Sequence, residues 1–432
     1  MNNLRYTLNE KPPPARNFLY AVQWVLIVLP LVTITSNLMA GFLAMDPSAS
    51  TALFQRFLMV TGAVTVIQCL FGHRYPLLDG PSAALLLSVA VLGGQGPGVI
   101  AGGMITGAGA LAILGGARLV EKLGPLFTDR VVGVVLLLIS TTFLPFLYPM
   151  IIGVTPMRPF GDPLVLFLVI IVMVGIILIS HWGKGLVRNL SIFIGIVVGY
   201  VVMAGIGRVE LPPMESLSWV ALPEPFLVDG LRFTLPATLS FLLAYLAVLI
   251  NGLGSYYSVA EVVGKDGLQG RIESGIALTG LGGMAAAVFG VVGTVSYSLS
   301  PGVILVTRVG SRFPVILCGF LLIALGFFQK MAAVLASVPE AVVGAALLVT
   351  LAAQMGVGIS VIVRGDKTLE IRDYFVVGMP LLMGTGASMI PREFLHVFGP
   401  STGALIGNGL IVGILAVLLL EHVILRDSKF KI

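Results

Sequence analysis

The chain has 432 residues, of which 57% are hydrophobic and only 10% charged, and its mean hydropathy is +1.05. An ordinary soluble domain is about 25% charged, so this composition excludes a soluble globular protein and indicates a polytopic membrane protein. The net charge of +5 does not indicate a nucleic-acid partner, because the basic residues are scattered between apolar spans.

Apolar segments predict about fourteen membrane spans, two of them too short to cross alone, since a crossing needs roughly 20 residues. We predict a tail at 1–16, a first repeat at 17–207, an extracytoplasmic linker at 208–233, a second repeat at 234–425 and a tail at 426–432. The segments begin near Asn17, Thr51, Pro81, Gly98, Pro125, Pro163, Arg188, Thr234, Arg271, Pro301, Phe313, Glu340, Asp373 and Thr402.

The distribution of basic residues predicts the topology. Alternating the spans from a cytoplasmic N-terminus places about three quarters of Lys and Arg on the cytoplasmic side. Both termini are therefore predicted to be cytoplasmic, in a bacterial inner membrane. Within the first span, the amide of Gln23 is open to two interpretations, substrate contact or helix packing.

The first interruption of the apolar pattern follows the second span. The segment from His73 to Asp79 reads as extended, and Pro81 then opens an apolar run. Ser82 and Ala83 at this predicted helix start are candidate substrate contacts. Asp79 lies where a helix dipole stabilises a carboxylate, and its role is predicted to be either structural or the coupling of transport to a cation, H+ or Na+.

A polar pair lies inside the long span from Leu235 to Gly264. Asn251 and Ser255 are four residues apart and share a helix face, where polar groups need a partner or a cavity. Asn251 offers both a donor and an acceptor, which suits an amide-like ligand edge. A helix–helix hydrogen bond is the alternative. Glu261 is a second candidate for coupling, or a surface partner of Lys265.

The second interruption lies about half the chain after the first. The stretch from Thr294 to Leu299 looks extended, and Ser300-Pro301 reads as a helix start, with serine as N-cap and proline in the first turn. Ser298, Leu299 and Ser300 are candidate substrate contacts, and Ser300 is also a candidate cap. Paired interruptions in two halves predict the binding site of a transporter with an inverted repeat.

The two broken helices suggest how a site could form. Each helix N-terminus leaves N–H groups unsatisfied and carries about half a positive charge. The predicted topology sets the two ends face to face, with the extended pieces paired as short antiparallel strands. A similarity between 129–137 and 340–348 supports the repeat, although chance similarity is the alternative.

Other functional classes find little support in the sequence. The chain has no Walker motif and no catalytic triad spacing, so neither an ATP-driven pump nor an enzyme is predicted, and no cofactor or metal site is visible. Cys69 and Cys318 read as buried small side chains. The four histidines fall at predicted span ends without a cluster, which argues against a histidine proton relay: His73, His181, His396 and His422.

The chain resembles the nucleobase–ascorbate transporter family, also called nucleobase:cation symporters, which includes the uracil and xanthine permeases. Its signature of Asn-x-Gly, four variable residues and Thr-Arg is matched at Gly302, Thr307 and Arg308, with Ser300 in place of Asn. The resemblance implies fourteen spans in a seven-plus-seven inverted repeat. It implies a core domain of spans 1–4 and 8–11 holding the substrate, and a gate domain of spans 5–7 and 12–14 that forms homodimers.

The departures from the family pattern concern the polar residues of the site. Asn251 stands where the family has glutamate, Ser255 where uracil permeases have histidine, and Leu299 where glutamate or glutamine precedes the signature. The first-span Gln-His pair is Gln23-Trp24 here. The chain thus resembles a divergent, purine-permease-like branch.

We expect a secondary active transporter of a nucleobase or related heterocycle that works by alternating access. The alternatives are an anion carrier on the same scaffold, because two positive helix ends without acids suit a small anion, and a non-transporting receptor or scaffold.

Overall fold

The computed structural model describes residues 4–155, 158–209, 211, 214–215, 217–223, 230–363 and 370–426. The first half contains α1 (Pro14–Phe42), α2 (Pro47–Leu70), β1 (Asp79–Pro81), α3 (Ala83–Leu92), α4 (Pro97–Gly116), α5 (Val120–Leu123), α6 (Asp129–Thr142), α7 (Leu144–Ile151), α8 (Pro163–Trp182), α9 (Leu186–Asn189) and α10 (Ser191–Gly205). The second half contains α11 (Leu235–Val263), α12 (Leu268–Val288), β2 (Thr294–Ser296), α13 (Ser300–Thr307), α14 (Phe313–Gly326), α15 (Gln329–Ala336), α16 (Glu340–Ile362), α17 (Ile371–Ser388), α18 (Arg392–His396), α19 (Gly399–Ile406) and α20 (Gly409–Leu419).

The fold is mostly helical and suits a membrane. In the described part of the chain, seven helices are long and apolar enough to cross a bilayer, or eight if α14 and α15, bent by 93°, are counted as one span. Shorter apolar helices lie at Ala83–Gln95, Ser191–Gly205 and Gly409–Ile424. The count of fourteen spans stays a prediction.

The helices form two packed groups. In one group, α4 packs against α11 and α12, and α2 packs against α14. Glycines bring these helices close: a Cβ at Gly280 would lie 2.3 Å from the backbone nitrogen of Ala112, and one at Gly62 would lie 2.4 Å from the carbonyl oxygen of Gly319. In the other group, α6 packs against α16, α17 and α20, and α8 packs against α10 and α16.

The predicted N-terminal tail is docked in its described part. The amide of Arg5 donates to the carbonyl of Arg308 at 2.7 Å, and the amide of Gly310 donates to the carbonyl of Tyr6 at 2.9 Å. Tyr6 is only 8% exposed. This segment therefore holds the C-terminal end of α13, which the predicted topology places on the cytoplasmic side. Residues 427–432 of the other predicted tail lie outside the described residues, as do several positions of the predicted linker.

The two interruptions of the apolar pattern meet as a two-stranded antiparallel sheet. Asp79 pairs with Ser296, and Pro81 pairs with Thr294. The helix that follows β1 begins at Ala83, whereas the sequence placed its start at Pro81. Pro81 belongs to the strand because it pairs there with a segment from the other half of the chain.

Candidate functional site

Backbone hydrogen bonds hold the two helix breaks against each other. The amide of Tyr297 donates to the carbonyl of Leu78 at 2.9 Å, and the amide of Ser82 donates to the carbonyl of Gly293 at 3.0 Å. Both helix starts, at Ala83 and at Ser300, therefore follow one small hydrogen-bonded unit.

The Ser300 hydroxyl belongs to this unit and does not cap its helix. It accepts a hydrogen bond from the amide of Leu78 at 3.2 Å, and its residue is fully buried. The N-cap position of α13 is taken by Leu299, without a side-chain capping bond. The expectation of a Ser300 cap was therefore wrong, because the hydroxyl satisfies a backbone group of the other break instead.

A buried polar network lies beneath the strands. Nε2 of His73 lies 3.1 Å from Oδ2 of Asp79, and the hydroxyl of Ser296 donates to Oδ1 of Asp79 at 2.6 Å. His73 and Asp79 are both 0% exposed. The hydroxyl of Tyr256 lies 3.4 Å from that of Ser296. Both carboxylate oxygens are thus hydrogen-bonded, as buried charge requires.

This network adds a contact that was not predicted. His73 follows the end of α2, where a span end was predicted, and the loop between α2 and β1 folds its ring inward against Asp79. His181 is exposed, and His422 is half-buried. No local signal predicts this contact, because six residues of extended chain would separate His73 from Asp79 by about 20 Å. Ser296 and Tyr256 were missed because their roles depend on the pairing of distant segments.

Helix α11 runs beside this unit and carries the predicted polar pair. The Ser255 hydroxyl bonds to the carbonyl of Ser296 at 2.7 Å and to that of Asn251 at 3.0 Å. Ser255 is 0% exposed, so its hydroxyl supports the scaffold. Asn251 is partly exposed, and its side-chain amide has no hydrogen-bond partner among the described residues.

The accessible part of the break is the short segment Ser298–Leu299, called the α13 lip below. Ser298 is exposed, and Leu299 is 36% exposed. On the other break, Ser82 is 2% exposed, whereas Ala83 is partly exposed. Of the predicted site residues near the breaks, Asn251, Ser298, Leu299 and Ala83 are therefore the ones that stay at least partly exposed.

Three further predicted residues, Gln23, Glu261 and Asp79, differ in their exposure and in their partners. Gln23 on α1 is partly exposed. Glu261 lies at the end of α11, is 66% exposed in its side chain and pairs with Lys265 at 2.6 Å. Asp79 is enclosed by the network. No group of three or more His, Cys, Asp or Glu that could hold a metal occurs in the described parts of the chain.

Comparison with known proteins gives matches over most of the chain. Residues 15–393 match a family model described as Permease family, Xan_ur_permease. A Clostridium perfringens protein with a provisional purine-permease name is 28% identical, over 99% of this chain and 94% of that protein. The uric acid transporter UacT of Escherichia coli is 26% identical, over 94% of this chain and 86% of that protein.

Solved structures share the fold. The transmembrane domain of a cyanobacterial bicarbonate transporter, BicA, matches with a TM-score of 0.59 at 15% identity, over 96% of this chain and 99% of that chain. The murine anion transporter Slc26a9 in its inward-facing state matches with a TM-score of 0.62 at 12% identity, over 95% of this chain and 68% of that chain. At these identities the similarity shows a common transporter fold.

Proposed function

The chain belongs to the permease family that matches residues 15–393, and on that premise we propose that it transports a nucleobase or a related heterocycle across a membrane. The match confirms the family resemblance found in the sequence. Relatives named as a purine permease, a uric acid transporter and a xanthine permease support a purine or similar base as substrate.

The observation that carries the proposal is that both helix starts follow one pair of strands and that α11, which carries Asn251, packs against both short helices. In this proposal Asn251 binds the donor–acceptor edge of the base, because its amide offers both functions and has no described partner. Ser298 adds a hydroxyl contact, Leu299 covers one face of the ring, and Ala83 lines the opposite helix end. Gln23 would contact the ligand from α1.

The other predicted contacts would act indirectly. Ser82, Ser255 and Ser300 are buried, and the hydroxyls of Ser255 and Ser300 bond to backbone groups. We propose that these three residues set the positions of α11 and the two helix starts. Their substitution should therefore lower stability as well as affinity.

Movement of one helix group against the other would provide alternating access. The group around α4, α11 and α12 corresponds to the proposed core domain, and the group around α6, α16 and α17 to the proposed gate domain. More extensive packing within each group than between the groups supports this division. The seven-plus-seven inverted repeat, the fourteen spans, a homodimer through the gate domain and cytoplasmic termini in a bacterial inner membrane belong to the same proposal.

Coupling to H+ or Na+ through Asp79 or Glu261 stays a prediction. Asp79 accepts hydrogen bonds on both oxygens, and Glu261 pairs with Lys265. Asp79→Asn would test the assignment: loss of gradient-driven accumulation with exchange retained would support Asp79, whereas unchanged accumulation would remove it.

Uptake by purified protein in proteoliposomes tests the proposed function. Labelled purines and pyrimidines are offered to the wild type, to Asn251→Leu and to the control Gln269→Leu, whose side chain lies exposed on α12. We expect saturable uptake of at least one base, with KM raised about tenfold or more by Asn251→Leu, the equivalent of one hydrogen bond of about 1.4 kcal/mol.

Three other results would contradict the proposal or favour one of the alternatives. Absence of uptake and binding of every base, by protein shown to be folded, would contradict the proposal. Flux of bicarbonate or sulfate that bases do not inhibit would instead support the anion carrier, which has the shared fold alone in its favour. Binding without flux would support a receptor.

A further inference from the structure

A polar groove lies at one end of the first helix group and shares no lining residue with the strands or the α13 lip. It has a volume of about 360 Å³ and lies between the end of α4, the start of α12 and Arg74 in the loop after α2. This volume falls within the range of roughly 300–1,000 Å³ that is usual for small-molecule sites. The proposed topology places this end of the helices on the cytoplasmic side.

The groove forms where two tightly packed helices end. A Cβ at Gly115 would lie 2.3 Å from the backbone nitrogen of Ala277, so α4 and α12 are in close contact there. At Gly116 and Gly270, by contrast, no atom lies within 4 Å of an added Cβ. Both glycines line the groove. A side chain added at either position would therefore occupy the groove without disturbing the packed helices.

The lining of the groove carries an excess of positive charge. It contains two arginines and one carboxylate, and Nε of Arg118 lies 3.5 Å from Oε2 of Glu273. The Arg74 side chain has no partner within the described residues. Guanidinium groups stay charged at every physiological pH. One positive charge is therefore left after the ion pair, and it favours an anionic occupant.

Backbone conformation does not account for the two arginines. Arg74 and Arg118 both have a left-handed backbone, with φ of 53° and 56°. Glycine or asparagine adopts this conformation more readily than a residue with a long side chain. The loop and the helix end would therefore fold at least as well without arginine, and the two charged side chains are better explained by what the groove binds.

An apolar surface leads from the groove along both helices. On α12, Ser274 and Ala277 line the groove, and Leu281 follows Ala277 by four residues on the same helix face. Leu281 is 53% exposed and lies about 10 Å further along the helix than Ser274. On α4, Ile113 is 67% exposed and lies three residues before Gly116. An occupant with an anionic head and an apolar chain would contact both parts of this surface.

We propose that the groove binds the headgroup of an anionic phospholipid of the cytoplasmic leaflet. The phosphate oxygens would accept hydrogen bonds from Arg74 and Arg118, and an acyl chain would lie along Leu281 and Ile113. Basic pockets between membrane helices on the cytoplasmic side suit such headgroups. A free phosphate ion shares the charge but makes no use of the apolar surface, so the lipid fits the groove better.

Native mass spectrometry of the purified protein measures this binding. Phosphatidylglycerol is titrated into the wild type, Arg74→Asn, the double variant Arg74→Asn/Arg118→Asn and the control Lys184→Gln. Lys184 is exposed, lies outside the groove and is predicted to be cytoplasmic. A basic residue near an anionic headgroup contributes about 1 kcal/mol, which corresponds to about fivefold in affinity. We expect that loss in Arg74→Asn, at least a tenfold loss in the double variant, and none in Lys184→Gln.

A variant that fills the groove separates this site from a general effect of positive charge. Gly270→Leu keeps every charged residue but occupies the open space, so it should weaken phosphatidylglycerol binding at least fivefold. Unchanged affinity in Gly270→Leu would overturn the proposal. So would an undiminished affinity in the double variant, or a loss in Lys184→Gln as large as that in Arg74→Asn.

Labelling shows where the lipid binds and separates it from a free anion. Gly116→Cys places a thiol in the groove, while the native Cys69 and Cys318 are buried. Its reaction with N-ethylmaleimide is measured in nanodiscs of phosphatidylcholine, phosphatidylethanolamine or phosphatidylglycerol, and in detergent with inorganic phosphate. We expect phosphatidylglycerol alone to slow the reaction severalfold. Equal rates in the three lipids would overturn the site, and equal protection by inorganic phosphate would overturn the lipid as its occupant. Neither measurement involves base uptake, so failure here would leave the proposed function untouched.

Discussion

Replacing Gly80 with alanine is expected to disturb the crossing of the two strands, because the added methyl group has no room. An ideal Cβ at Gly80 would lie 2.5 Å from both Cε2 and the hydroxyl oxygen of Tyr297, about 1 Å short of ordinary contact. The ring can move away only by releasing the hydrogen bond that its hydroxyl donates to the carbonyl of Pro81 at 3.1 Å.

The magnitude follows from these two effects. Over-packing costs about 1–3 kcal/mol and the lost hydrogen bond about 1 kcal/mol, so Gly80→Ala should lower the free energy of unfolding by about 2–4 kcal/mol. In a Tyr297→Leu background the clash is relieved, and the two substitutions should couple by about 1 kcal/mol or more. Gly270→Ala is the control, because no atom lies within 4 Å of its Cβ position.

Unfolding of the purified protein in mixed detergent micelles measures these differences, with uptake as a second readout. We expect Gly80→Ala to unfold at lower denaturant than both the wild type and Gly270→Ala. Stability and uptake equal to the wild type, or strict additivity with Tyr297→Leu, would refute the close packing of the strands against this ring.

Two further predictions concern single side chains. Tyr245 is 2% exposed and its hydroxyl has no hydrogen-bond partner in the described structure, so Tyr245→Phe should raise the free energy of unfolding by about 1 kcal/mol. Loss of uptake by the folded variant would show instead that the hydroxyl contacts a ligand or water. Hydrogen bonds from the Ala49 amide and the Ser48 hydroxyl lower the pKa of Asp46 at the start of α2. Its stabilising effect should therefore be present at neutral pH and be lost in acid, as pH falls from its ordinary pKa through the lowered one, and the stability difference from Asp46→Ala should shrink with it.

The sequence located the helix breaks because their signals are local. Polar and proline residues inside an apolar region, as at Pro81 and Pro301, cannot continue an unbroken span without leaving backbone groups unsatisfied. The first residues of the helices that follow these breaks were less predictable. Pro81 lies in a strand because it pairs with Thr294, and no local pattern encodes that pairing.

The roles of the site residues depended still more on long-range contacts. Ser255 and Ser300 look alike in sequence as polar groups near the site, yet both are fully buried and bonded to backbone. Of the polar pair, only Asn251 has a side chain without a hydrogen-bond partner in the part of the chain that the structure describes. His73 became a partner of Asp79 only because a loop turns inward, and such a turn leaves no periodic signal.

Protection of the α13 lip by substrate tests the central claim most directly. In Ser298→Cys protein, the rate of maleimide labelling is measured against increasing concentrations of the base that the wild type transports best. A nucleobase bound between the two helix ends should slow labelling in a saturable manner, with half-protection near its KM, and Asn251→Leu should shift that concentration upward about tenfold. Labelling that is indifferent to a saturating, transported base would place the substrate elsewhere.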